Sequence, residues 1–117
     1  MINFEHYQEK SMASTIMKQR ITHKLNSHFF PVYLDIMNES GNHNVPAGSE
    51  THFKVIMVSD DFDGKRLVQR HRLVYDALAE ELASTVHALA LHLYTRAEWQ
   101  QAQGKAPDSP ACRGGGK

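Results

Sequence analysis

The sequence predicts a single α+β domain in which a three-stranded mixed sheet carries its helices on one face. Three observations lead there. A length of 117 residues leaves room for one core and not two. Apolar spacing alternates between a helical period and short β-branched runs, in the order α-β-β-α-β-α. The helix between the last two strands makes them a βαβ unit, which runs parallel and right-handed.

Each element follows from local chemistry. From Ser14 the residues Met17, Ile21, Leu25 and Phe29 recur four apart with polar residues between them, and Pro31 ends the pattern. Ser14 stands where an N-cap belongs. In 32–40 the residues Val32, Leu34 and Ile36 alternate with Tyr33, Asp35 and Met37, which reads as a half-buried strand. The segment 41–50 holds two glycines, two asparagines and a proline and is a loop. His52–Ser59 is a second strand, and Asp63-Gly64 marks a turn. One helix is expected over 67–82, with Leu67, His71, Val74, Leu78 and Leu82 on its apolar face. His71 is therefore expected inside, bonded to a backbone carbonyl. A third strand follows at 86–94, and Thr95-x-x-Glu98 is a capping box for a last short helix anchored by Trp99. Residues 1–13 read as a loose extension, 14–103 as the folded domain and 104–117 as a disordered tail. Either Met1 or Met12 could serve as the start.

Composition narrows the function classes. Thirteen basic and thirteen acidic residues cancel, so the surface as a whole is no polyanion-binding shell. Cys112 is the only cysteine, which excludes an intramolecular disulfide and a Cys-rich metal site built from this chain alone. With neither a signal-peptide h-region nor a long apolar run, a cytosolic protein without a membrane span is expected. There is no P-loop, nucleophile elbow, His-Glu-x-x-His or dinucleotide fingerprint, so a non-catalytic role is expected.

The compositional excess is histidine, with eight. Parallel pairing of the second and third strands places His52 and His87 at one edge of the sheet, and the loop bearing His43 must reach the same edge. Imidazole is the commonest metal ligand, so these three are the candidate metal-binding residues. A second candidate site is the basic cluster Lys65, Arg66, Arg70 and Arg72 at the start of the long helix, where a phosphate or DNA backbone could dock. Asp60, Asp61 and Asp63 offset part of that field, and no Gly-x-x-Gly clamp of RNA-binding KH modules is present.

These motifs together resemble the BolA family. The resemblance lies in His43-Asn-Val-Pro-Ala-Gly-Ser-Glu-Thr-His52-Phe-Lys-Val, in Phe62-x-Gly64 leading to Arg70-His71-Arg72-x-Val-Tyr75, and in Leu78-Ala-Glu-Glu-Leu-x-x-x-Val-His87-Ala-Leu-Ala-Leu. The tail Ser109-Pro-Ala-Cys112-Arg-Gly-Gly matches as well. It implies a class II KH-like fold. It implies a heterodimer with a monothiol (CGFS) glutaredoxin sharing a [2Fe–2S] cluster, with His87 as one ligand and His43 or His52 as a second. The glutaredoxin cysteine and a glutathione thiol are implied as the others, so the isolated chain is expected to hold no iron. The family is also described as regulating transcription in cell morphology, stress response and biofilm formation, which makes double-stranded DNA a candidate partner. A homodimer stays open.

Overall fold

The computed structural model describes residues 16–42, 46 and 48–107. Its elements are α1 (Ile16–Phe29), β1 (Tyr33–Asn38), a 3-10 turn at Ser40–Asn42, β2 (His52–Val58), a 3-10 turn at Asp60–Phe62, α2 (Leu67–Ala77), α3 (Ala79–Ala83), β3 (Ala88–Tyr94) and α4 (Arg96–Gln101). The sheet order is β1-β2-β3. β1 pairs antiparallel with β2, Tyr33 facing Val58, and β2 pairs parallel with β3, His52 facing Ala88. The α+β class, the mixed sheet and the element order are as expected.

The period of two divides the sheet into distinct faces. Ile36, Phe53, Val55, Met57 and Leu93 meet the apolar stripe Met17, Ile21, Leu25 and Phe29 of α1 together with Val74 of α2 and Leu78 just after it. Phe62 closes one end of this core, its ring 5.6 Å from that of Phe29. Burying each such side chain is worth about 1.5–3 kcal/mol, so this layer is the main source of stability. The opposite face holds Tyr33, Lys54, Ile56, Val58 and Tyr94, and it too is covered. Trp99 of α4 lies between Tyr33 (5.2 Å between ring centres) and Tyr94 (5.0 Å). From there the chain runs on until the carbonyl of Pro107 accepts a hydrogen bond from Lys54 Nζ at 2.8 Å. The expected packing of helices on one face therefore holds for α1 and α2 but not for the last helix, whose Trp99 serves the opposite face because Tyr33 and Tyr94 stand there. This double cover explains why β2 is buried at six of its seven positions.

Local differences from the sequence reading have physical causes. The long helix breaks at Leu78 (φ −107°, ψ 23°), a fully buried pivot whose N–H still reaches Val74 O. The break turns Glu81 toward α1, where its buried carboxylate meets Arg20 (2.8 Å) and Lys24 (3.0 Å). The inward face of α2 is Arg70 and Val74, continued by Leu78 at the break, while Leu67 is 63% exposed. His71 is only half-buried and packs edge-on to Tyr75 at 6.5 Å. α1 ends as Pro31 requires, with Phe30 in the left-handed region at φ 46°. Ser14 lies outside the described residues. The described N-terminal N–H groups of α1, Met17 and Lys18, are instead bonded by the Glu50 carboxylate at 3.1 and 3.2 Å. The Thr95–Glu98 capping box forms as read.

Candidate functional site

β2 and β3 start side by side, and their parallel register creates the site. Thr51 O accepts the N–H groups of His87 (2.8 Å) and Ala88 (3.2 Å). The rings of His52 and His87 consequently lie with centres 6.2 Å apart and planes at 76°. His87 is exposed and His52 half-buried. Two of the three histidines assigned to this edge are therefore together, whereas His43 lies outside the described residues. His92, further along β3, is displaced from them. Burial holds its imidazole below the usual range, and the nearby Lys54 charge adds to the effect.

Both arms of the site are clamped. Val86, just before His87, donates to Glu81 O at 2.9 Å, and Glu81 is tied to α1 through its two cations. On the other arm the Ser40 hydroxyl accepts the N–H groups of Thr51 (2.9 Å) and His52 (3.1 Å). Thr51 Oγ1 lies 2.8 Å from His52 Nδ1. Asn38 links back, accepting from Ser40 N and donating to Ser49 O, each at 2.9 Å. Sequence reasoning passed over Ser40, Thr51 and Glu81. A polar residue between two strands carries no spacing signal, and only the fold reveals which N–H groups it serves.

Two imidazoles on one tetrahedral ion have ring centres about 5 Å apart when each metal–nitrogen bond is ~2.0–2.1 Å. The observed 6.2 Å is close enough for rotation of the exposed His87 ring to close the gap. A [2Fe–2S] cluster needs four ligands. Among the described residues no group of three or more His, Cys, Asp or Glu could hold a metal. The donors present fit part of a cluster shell and require sulfur from elsewhere.

The basic cluster divides. Arg70 is 5% exposed and is not part of any docking surface. Its guanidinium makes a bidentate pair with Glu98 (2.7 and 3.1 Å), reaches the carbonyls of Lys65 and Leu93, and lies 5.8 Å from the centre of the Phe62 ring. The pair, with help from the Thr95 N–H, lowers the Glu98 carboxyl to about 2. Lys65 is half-buried and donates to Asp61 O at 2.8 Å. Arg66 and Arg72 are exposed, as are Leu67, Val68 and Tyr75 of α2. Among the described residues no helix is long and apolar enough to cross a membrane.

Comparison with known proteins gives a consistent result. A family model described as BolA-like protein matches residues 25–98, more than half of the chain. A protein named DNA-binding transcriptional regulator BolA, from Escherichia coli (strain K12), is 55% identical over 101 residues, covering 86% of this chain and 96% of its own length. BolA-like protein 1 of Mus musculus is 49% identical over 107 residues, covering 92% and 77%. The solution structure of BolA1 from the same species superposes with a TM-score of 0.69 at 51% identity, over 80% of this chain and 76% of that one. The BolA domain of SufE1 from Arabidopsis thaliana gives 0.65 at 46% identity, over 68% and 92%.

Proposed function

Because this chain belongs to the BolA family, we propose that it is a non-catalytic adaptor that pairs with a monothiol glutaredoxin and helps hold a shared [2Fe–2S] cluster in iron–sulfur handling or iron and redox sensing. The observation that carries this reading is the His52–His87 pair, 6.2 Å apart at the exposed start of two parallel strands. His87 is the principal ligand in this reading, with His43 and His52 competing for a second place. The glutaredoxin cysteine and glutathione supply the thiolates that the described residues lack. Bound in this way, the cluster supplies one-electron chemistry at a potential raised by imidazole in place of thiolate. This chain's contribution is to present His87 from a loop clamped to Thr51 and Glu81. A cytoplasmic setting, where thiols stay reduced, suits such a complex.

Anaerobic reconstitution with a monothiol glutaredoxin and glutathione, followed by visible absorption and circular dichroism, tests the proposal. The expected outcome is a spectrum altered by this chain and reverted by His87→Ala. A spectrum indifferent to either would refute it.

A second reading, a DNA-binding regulator, is favoured by the names of the relatives from Escherichia coli and Vibrio cholerae, each 55% identical. Here Lys65, Arg66 and Arg72 at the start of α2 would meet phosphates, without Arg70. Each exposed arginine that meets a phosphate should reduce the salt dependence of duplex binding by about one when replaced. A slope unchanged in Arg66→Ala and Arg72→Ala would remove this surface from consideration.

A further inference from the structure

We propose that β3 pairs antiparallel with β3 of a second copy of this chain, about a twofold axis at Ala90, joining two three-stranded sheets into one. The proposal goes beyond the adaptor reading and does not rest on it.

The register shows which backbone groups of β3 are spent. Ala88 N–H donates to Thr51 O at 3.2 Å, and Tyr94 O accepts from Ser59 N–H at 3.0 Å. Residues 88, 90, 92 and 94 therefore turn both polar groups toward β2, and the alternate residues Leu89, Leu91 and Leu93 turn theirs to the open edge. Leu93 O is taken by Arg70 Nη1 at 3.2 Å. The N–H and C=O groups of Leu89 and Leu91 find no partner among the described residues. Edge strands are commonly guarded by lysine, a carboxylate, proline or a bulge, and Ala88–Tyr94 has none of these. β1, the other edge strand, is guarded: two copies joined about its central Asp35 would set carboxylate against carboxylate.

The second copy is chosen because the edge fits itself. In an antiparallel ladder centred on Ala90, Leu89 of each copy faces Leu91 of the other, and every free N–H meets a free C=O. The ladder stops where the groups run out, since His87 N–H is already bonded to Thr51 O and Leu93 O to Arg70. Ala90 meets its own counterpart at a non-hydrogen-bonded position, about 4.5 Å between Cα atoms, where a methyl side chain fits. The exposed Ala88 leaves room for His92 of the second copy. On the inner face the half-buried Leu89 and Leu91, packed against the core of their own copy, extend it across the axis. A formal net charge of zero at pH 7 leaves no long-range repulsion between copies. A two-strand seam lies at the small end of specific interfaces, below about 1,200 Å² in total, so the association is reversible.

Sedimentation equilibrium of the full chain under reducing conditions, from micromolar to millimolar, should show a rise from monomer to dimer. Leu89→Pro removes an N–H that β2 does not use, so it should keep the wild-type far-UV circular dichroism and lose the dimer. Cross-linking in a Cys112→Ser background reads the register. Under mild oxidation Ala90→Cys should give a disulfide-linked dimer, because its facing Cα atoms fall within the range of about 4.4–6.8 Å that a disulfide spans. Ala88→Cys, displaced from the axis, should not. A chain that stays monomeric at millimolar concentration overturns the proposal, as does a folded Leu89→Pro variant that still dimerises. Equal cross-linking at positions 88 and 90 overturns it too, and this contrast decides even where the proline variant fails to fold.

Discussion

Removing the charge of Glu98 should make the fold less sensitive to acid, and the structure sets the size of the effect. Glu98 faces the Arg70 guanidinium through two hydrogen bonds, and its carboxyl falls from an ordinary 4.5 to about 2. A folded-state value below the unfolded one means stabilisation that is complete above about pH 5 and is lost as pH falls from 4.5 toward 2. At about 1.4 kcal/mol per pH unit the ceiling is roughly 3.4 kcal/mol. The Glu98 side chain is 45% exposed, so water screens the pair and about 1–2 kcal/mol is the realistic share. Glu98→Gln keeps an oxygen for the Thr95 N–H and so isolates the charge. Urea unfolding followed by far-UV circular dichroism should show the variant weaker by about 1–2 kcal/mol at pH 7 and equal to wild type near pH 2. A gap that stays constant across that range would refute the reasoning.

Other replacements probe the remaining contacts. Arg20→Ala combined with Lys24→Ala leaves the Glu81 carboxylate buried without its cations, which should cost about 3–5 kcal/mol in chemical denaturation. Ser59→Ala removes a buried bond to Phe29 O (2.8 Å) and the cap on Asp61 N, and a loss of about 1–2 kcal/mol is expected by the same assay. Phe30→Gly should raise the thermal midpoint, by about 1 kcal/mol of stability, because a 79% exposed side chain at φ 46° gives up strain and little packing. A lowered midpoint would show that the Phe30 ring contributes more than its exposure implies.

Much of this was legible in the residues because it depends on short-range periodicity. The four-residue spacing of Met17, Ile21, Leu25 and Phe29 marked the buried stripe of α1, and all are buried. The crossover rule brought His52 beside His87 across the intervening helix, and the register places His52 opposite Ala88. What the pattern missed depends on partners remote in sequence. Arg70 reads as a surface cation until Glu98, Leu93 O and the Phe62 ring converge on it, and it then takes the inward position expected of Leu67 and His71. Trp99 could be recognised as an anchor, but the face it anchors was set by Tyr33 and Tyr94, which belong to opposite edge strands. Ser40 read as the end of the first strand and Glu50 as a loop residue, because the N–H groups they satisfy belong to other elements.

The parallel crossover has a kinetic meaning as well. His52 and His87 meet only after α2 and α3 have folded back over the sheet and β3 has zipped onto β2, a closure of high contact order. A growing chain that has made β1 and β2 carries His52 before the strand that brings His87 beside it. The histidine edge therefore matures in the last steps of folding. The pairing of the two imidazoles is in this way coupled to completion of the fold.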